Sequence, residues 1–135
     1  MRFVDTNILI YAACPPPNDV AKAERAAELL RTADIALSAQ VLQEFYVQAT
    51  RVTRPGALTH DDARRMVRNL QRFPIQPVTA QVVNNALALR ERFQINYWDA
   101  AILAAARIAG CNTVYTEDLN DGQDYDGVRV VNPFA

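Results

Sequence analysis

Hydrophobic and polar positions along the chain switch between two periodicities, and the switches mark its elements. Phe3-Val4 is a short apolar run that ends in Asp5-Thr6-Asn7, and a second apolar stretch covers residues 8–13. The pattern predicts a strand, a tight turn and a short helix stopped by Pro15-Pro16-Pro17. Asn18 or Asp19 caps the next helix, which runs to about Ala33 with Val20, Ala23, Ala27 and Leu30 at helical spacing. Ile35-Ala36-Leu37 reads as a second strand. Ser38 then caps a helix reaching about Val52, with Leu42, Phe45, Ala49 and Val52 as its face, and Pro55-Gly56 breaks it.

Thr59 opens a further helix to about Phe73, with Asp62 in the capping-box position. Residues 75–78 make a short strand at best, because Pro77 cannot donate to a ladder. Thr79 starts a helix that carries Val82, Ala86, Leu89 and Phe93 on one side. Another begins at Tyr97 or Trp98, runs to Ala109 and stops at Gly110. Residues 113–116 and 128–131 read as strands around a polar loop at 117–127. Strands alternating with helices imply a three-layer α/β/α domain around a mostly parallel central sheet, and the whole chain, residues 1–135, reads as one domain.

Charge changes this picture by where it is missing. Residues 3–18, 35–50 and 93–106 hold one charged side chain each, Asp5, Glu44 and Asp99, where the chain-wide 21% would place about ten in all. None of these acids has a local counter-ion. Glu44 meets Gln40, Val41, Val47 and Gln48 at helical neighbour positions, and Asp99 meets Ile95, Asn96, Ile102 and Leu103. Asp99 also opens an almost wholly apolar helix, where a carboxylate is costly without compensation. A bound divalent cation is a candidate for that compensation. Asp5 ends the first strand, where open α/β sheets place their ligands, and Glu117-Asp118 follows the 113–116 strand at the same edge if the two run parallel. Four carboxylates at one rim offer oxygen-only ligation, which suits Mg²⁺ or Mn²⁺. Each acid also has a plainer role open to it. Asp5 can cap the helix after it, Asp99 can be a first-turn acid behind an Asn96 cap, Glu44 can be a surface acid, and Asp118 can belong to an Asx turn.

Composition narrows the chemistry. Lys22 is the only lysine beside thirteen arginines, and His60 is the only histidine, which excludes any mechanism built on a histidine pair. Cys14 and Cys111 with one histidine cannot supply an ordinary structural zinc site. Reduced thiols, no membrane-spanning run and no leader-like N-terminus point to a cytoplasmic protein.

Four segments then resemble, in order, a PIN domain. They are Phe3-Val4-Asp5-Thr6-Asn7-Ile8-Leu9-Ile10-Tyr11, Gln43-Glu44-Phe45, Tyr97-Trp98-Asp99-Ala100-Ala101-Ile102-Leu103, and Thr116-Glu117-Asp118-Leu119-Asn120-Asp121-Gly122. Size and full-length coverage resemble the VapC-type toxins of bacterial toxin–antitoxin pairs. The resemblance places Asp5, Glu44, Asp99 and Asp118 on the family's four acidic positions. It implies that they bind Mg²⁺ or Mn²⁺ and hydrolyse RNA phosphodiester bonds with a metal-activated water, leaving a 5′-phosphate and a 3′-hydroxyl. Asp5 and Asp99 are expected as direct ligands, Glu44 as ligand or water-orienting base, and Asp118 as a further ligand or a supporting acid. Glu117 and Asp121 compete with Asp118 for the fourth place. Asn7 and Thr116 match polar positions that hold the acids or the substrate. The resemblance also implies a homodimer and a small antitoxin whose C-terminal segment occupies the active-site groove.

The net charge of −1 conceals separated regions. Arg51, Arg54, Arg64, Arg65, Arg68 and Arg72 outweigh Asp61 and Asp62 by +4 over residues 51–72, whereas 108–128 sums to −5. Arg64 and Arg68 are candidate RNA or antitoxin contacts, with a solvated helix face as the plainer alternative. Tyr11, Tyr46 and Trp98 are expected in core packing, with base stacking as the other option. His60 is expected at the surface. Two competing functions stand beside the nuclease: a PIN-fold binding module without activity, and an aspartate-phosphorylating phosphatase of the haloacid-dehalogenase type, for which no well-placed lysine is evident.

Overall fold

The computed structural model describes residues 1–32 and 34–135. Its elements are β1 (Arg2–Val4), α1 (Thr6–Ala13), α2 (Val20–Thr32), β2 (Ile35–Ser38), α3 (Ala39–Ala49), α4 (His60–Leu70), β3 (Ile75–Gln76), α5 (Ala80–Phe93), α6 (Tyr97–Ile108), β4 (Thr113–Tyr115), β5 (Asp124–Tyr125) and β6 (Val128–Val131). The expected end of the second helix at Ala33 lies outside the described residues.

The strands form one sheet in the order β3-β2-β1-β4-β6-β5. All neighbouring pairs are parallel except β5 with β6, so the mostly parallel α/β architecture is as the sequence pattern predicts. Phe3, Val4, Ile35, Leu37, Val114 and Val130 from its central strands are fully or almost fully buried. Helix α1 packs on α2 and α3, and α3 on α4, while α5 packs on α6 and α6 lies against β2, β3, β4 and β6. Seven consecutive residues of α6, from Ala100 to Ala106, are buried. Small side chains let this helix approach the sheet closely, and its N-terminal turn projects past the core with Asp99 on it.

Local capping sets the helix starts. Ser38 accepts from Val41 N–H, Thr59 from Asp62 N–H, Thr79 from Val82 N–H and Asn96 from Trp98 N–H. Some boundaries differ from the sequence expectation. Helix α3 stops at Ala49, and Val52, expected on its apolar face, is 92% exposed beyond it. Phe45 and Ala49 of the expected face are buried, and Val41 joins them in place of Leu42, which is half-buried. Helix α4 ends at Leu70, short of Phe73. In α2 the buried residues are Ala26 and Leu29, and Val20 is exposed. The loop expected at 117–127 contains a short hairpin strand, β5, which turns into β6 through Asp126 and Gly127, both at positive φ (52° and 94°).

Candidate metal centre

The parallel pairing of β1 with β4 brings two strand ends to one edge of the sheet. Asp5 follows β1 directly, and Thr116 and Asp118 follow β4. The N-terminal turn of α6 adds Asp99 from across the edge. One carboxylate oxygen from each of Asp5, Asp99 and Asp118 lies within 4.8 Å of the other two. Asp5 is buried, Asp99 half-buried and Asp118 exposed, so the cluster opens to solvent on one side.

Thr116 is the hub. Fully buried, its hydroxyl donates to Asp5 Oδ2 at 2.8 Å and accepts from Asn7 Nδ2 at 3.1 Å and from Asp118 N–H at 3.1 Å. One donor and two lone pairs are thereby all used. Asp5 Oδ1 accepts from Thr6 N–H at 2.7 Å, so this side chain both caps α1 and faces the cluster. Asn7 Nδ2 also donates to Asp118 Oδ2 at 2.9 Å. The two roles open to Asp5 are therefore compatible.

Glu44 stands next to this trio without joining it. Its Oε1 accepts from Thr6 Oγ1 at 3.4 Å and from Gln40 Nε2 at 3.2 Å. Gln40 is the residue that sequence reasoning missed here: an amide four positions earlier on the same helix face serves where a basic partner was sought. The alternatives for the fourth acid are engaged elsewhere. Glu117 accepts from Tyr11 at 2.8 Å and pairs with Lys22 at 3.1 Å, and Asp121 accepts from Asn132 N–H at 2.8 Å.

The acids are poorly compensated by protein alone. Burial, partly offset by the Thr116 and Thr6 hydrogen bonds and reinforced by the charges of Asp118 and Glu44, pushes Asp5 from 3.8 to about 7. Burial also raises Glu44 and Asp99, and Asp118 adds to both shifts. Asn7 Oδ1 is buried and has no hydrogen-bond partner among the described residues. An all-oxygen set, excess negative charge and a spare buried acceptor fit a hard divalent cation.

A raised carboxyl pKa means the folded state holds a proton that the unfolded state has released. Its stabilising contribution is complete below about pH 4 and is lost as pH rises through about 7. The metal-free protein is therefore expected to melt at lower temperature near pH 8 than near pH 5, and Mn²⁺ should raise the melting temperature more at the higher pH. Thermal scans with and without Mn²⁺ check this, and an Asp5→Asn variant should flatten the pH dependence.

The arginines fall on different surfaces. Arg64 and Arg68 line a groove of about 650 Å³ between α3 and α4, together with Tyr46 and His60; none of the clustered acids borders it. A second groove of about 360 Å³ contains Glu44, Arg51 and Trp98, and Gln43 and Val47 form the wall common to both. Arg72 lies past the end of α4 with its guanidinium 4.3 Å from the Phe73 ring. His60 is exposed and its Nδ1 shares a 2.8 Å hydrogen bond with Tyr46. Trp98, expected in the core, is 61% exposed, because its position on the first turn of α6 faces away from the buried alanine row.

A family model described as PIN domain matches residues 2–123. Among solved structures the chain is similar to a toxin–antitoxin complex from Klebsiella pneumoniae, with 24% identity, a TM-score of 0.71 and 98% of each chain covered. It is also similar to VapC20 of Mycobacterium tuberculosis, described as a sarcin-ricin loop cleaving toxin, with 21% identity, a TM-score of 0.68, and 87% of this chain and 90% of that one covered. A DNA-bound VapBC from Salmonella typhimurium aligns with 18% identity and a TM-score of 0.65 over 96% of this chain and 95% of that one. No curated protein matches the chain by sequence.

Proposed function

Because the chain belongs to the PIN domain family, we propose that it is a Mg²⁺- or Mn²⁺-dependent endoribonuclease, a single domain over residues 1–135 acting as the toxin of a toxin–antitoxin pair. The observation that carries this reading is the convergence of Asp5, Asp99 and Asp118 within 4.8 Å at an open edge of the sheet. Bound there, the cation would supply Lewis acidity towards a phosphate oxygen and a water acidic enough to attack it.

The chain's own residues divide the remaining work. Asp5, Asp99 and Asp118 are the ligands, and Thr116 and Asn7 fix the orientation of Asp5 and Asp118. Glu44, held by Gln40 and Thr6, is placed to accept a proton from the attacking water or to complete the ligand set. Cleavage by hydrolysis leaves a 5′-phosphate and a 3′-hydroxyl. Arg64 and Arg68 offer positive charge to RNA or to an acidic antitoxin segment one groove away. A homodimer and a small antitoxin complete the proposed assembly, which operates in the cytoplasm; among the described residues no helix is long and apolar enough to cross a membrane.

Purified chain free of any antitoxin is expected to cleave RNA in Mg²⁺ or Mn²⁺ and to stop when chelator is in excess, with end-mapping showing 5′-phosphates. Unchanged cleavage in chelator would sink the metal mechanism, and no cleavage under any divalent cation would favour the binding-module reading.

A further inference from the structure

We propose that the groove beside Glu44 seats one unpaired RNA nucleotide, with Trp98 stacking on its base and Arg51 contacting its phosphate. The inference rests on the ribonuclease reading and extends it to how the substrate is held.

Trp98 borders this groove of about 360 Å³ together with Gln40, Gln43, Glu44, Gln48 and Arg51. Its indole is 61% exposed although the residues that follow Asp99 in the same helix are buried. The backbone beneath it is fixed: Trp98 N–H donates to Asn96 Oδ1 at 2.7 Å, and its carbonyl accepts from Gln40 Nε2 at 3.3 Å. That same Gln40 amide donates to Glu44 at 3.2 Å, so one side chain spaces the aromatic platform from an acid of the site. The edge of the neighbouring Tyr97 ring approaches at 5.1 Å between centroids. A ring held in this way, one residue before Asp99, keeps a constant distance from the cluster.

The rest of the groove suits a nucleotide better than a greasy partner. Arg51 is exposed and has no ion pair or side-chain hydrogen bond among the described residues, whereas Arg54 is committed to Gln48 O at 3.1 Å. A free guanidinium binds phosphate through its planar fork. Two glutamine amides, Gln43 and Gln48, line the walls and present donors and acceptors that tolerate any base edge. An aromatic face with a nearby cation is the usual platform for single-stranded nucleic acid, and stacking of this kind is sequence-tolerant.

Trp98 is the sole tryptophan, so its emission reports on this groove alone. The full chain is titrated in excess chelator with a 3′-labelled, unstructured RNA of about ten nucleotides. Tryptophan emission is expected to be quenched along the same isotherm as the label's anisotropy. Trp98→Ala should weaken binding about tenfold and Trp98→Phe should restore most of it. Arg51→Ala should weaken binding severalfold and reduce the slope of log affinity against log salt by about one. In Mg²⁺, Trp98→Ala should raise KM with kcat changed by less than about threefold. Unquenched emission together with an unmoved isotherm in Trp98→Ala overturns the nucleotide seat; if the parent protein still binds and cleaves RNA, the ribonuclease reading survives and the groove is free for a protein partner. A parent chain that neither binds nor cleaves RNA overturns both.

Discussion

Asp99→Asn is expected to lower RNA cleavage by more than about 100-fold, the upper end of what losing a mere supporting partner of a metal ligand costs. The substitution keeps shape and removes one charge. In the parent, Asp99 is raised by burial on the margin of an apolar helix and then by Asp118 and Glu44. Among the described residues no base pairs with it, and Asn96 already caps the helix, so the helix start does not depend on the carboxylate. The metal-free variant should therefore melt at the same temperature as the parent or higher at neutral pH, because a like-charge repulsion has gone. Loss of cleavage with stability kept is the signature of a residue retained for chemistry. Cleavage rates by gel and melting by circular dichroism test both halves. Cleavage as fast as the parent's would remove Asp99 from the site. The comparison also separates the competing enzyme: a phosphoacceptor mechanism would trap phosphate on Asp5, whereas Lys22, the chain's one lysine, is engaged with Glu117 and Tyr11.

Thr116→Val is expected to have the second-largest effect, and of a different kind. Valine fills the same volume, so packing at this fully buried position is kept while the hydroxyl is lost. Asp5 Oδ2, Asn7 Nδ2 and Asp118 N–H each lose a partner together. Asn7 Nδ2 keeps Asp118 Oδ2, but Asp5 Oδ2 is left buried without a donor, at a cost of about 1–3 kcal/mol, so stability should fall, unlike in Asp99→Asn. Mn²⁺ affinity should fall about 10–100-fold, as when a partner that orients metal ligands is removed. Thr116→Ser restores the hydroxyl and should recover most of the affinity. Calorimetric titration of Mn²⁺ into the three proteins decides the matter, and equal affinity for parent and Thr116→Val would show that the hub does not orient the ligands.

The acids that meet at the sheet edge were legible because burial and charge conflict. A lone carboxylate in an uncharged stretch needs a reason, and for Asp5 and Asp99 the fold places them together. Parallel β1 and β4 were legible from strand and helix alternation, which is why Asp118 could be set at the same edge. Helix starts at Ser38, Thr59, Thr79 and Asn96 follow from side chains that bond their own following N–H groups, a local interaction that local sequence expresses. Other features depend on distant partners. The Lys22–Glu117 pair joins residues 95 positions apart, and nothing near Glu117 shows that it is committed there while Asp118 is free to face the cluster. Glu44 turns to Gln40 and Thr6 because an amide and a hydroxyl reach it, whereas the search along its helix was for charge. The hairpin of β5 and β6 had a signal in Asp126-Gly127, an Asp-Gly turn. A two-residue strand is too short to show alternation, so the pattern leaves β5 inside a loop. Trp98 was expected inside because aromatic residues usually are, and only the rotation of α6 against the sheet shows otherwise.

The sheet order carries a consequence for timing. Until β4 exists, the edge of β1 that faces away from β2 stays unpaired, and Thr116 stands 111 positions after the Asp5 it orients. Translation delivers Asp5 first and Asp118 last of the three clustered acids. A nascent chain thus holds Asp5 and Glu44 long before it holds the hydroxyl that aligns Asp5 or the strand that seats it. For a chain proposed to cut RNA, the order of elements postpones assembly of the cutting edge until β4 and the residues that follow it have been made.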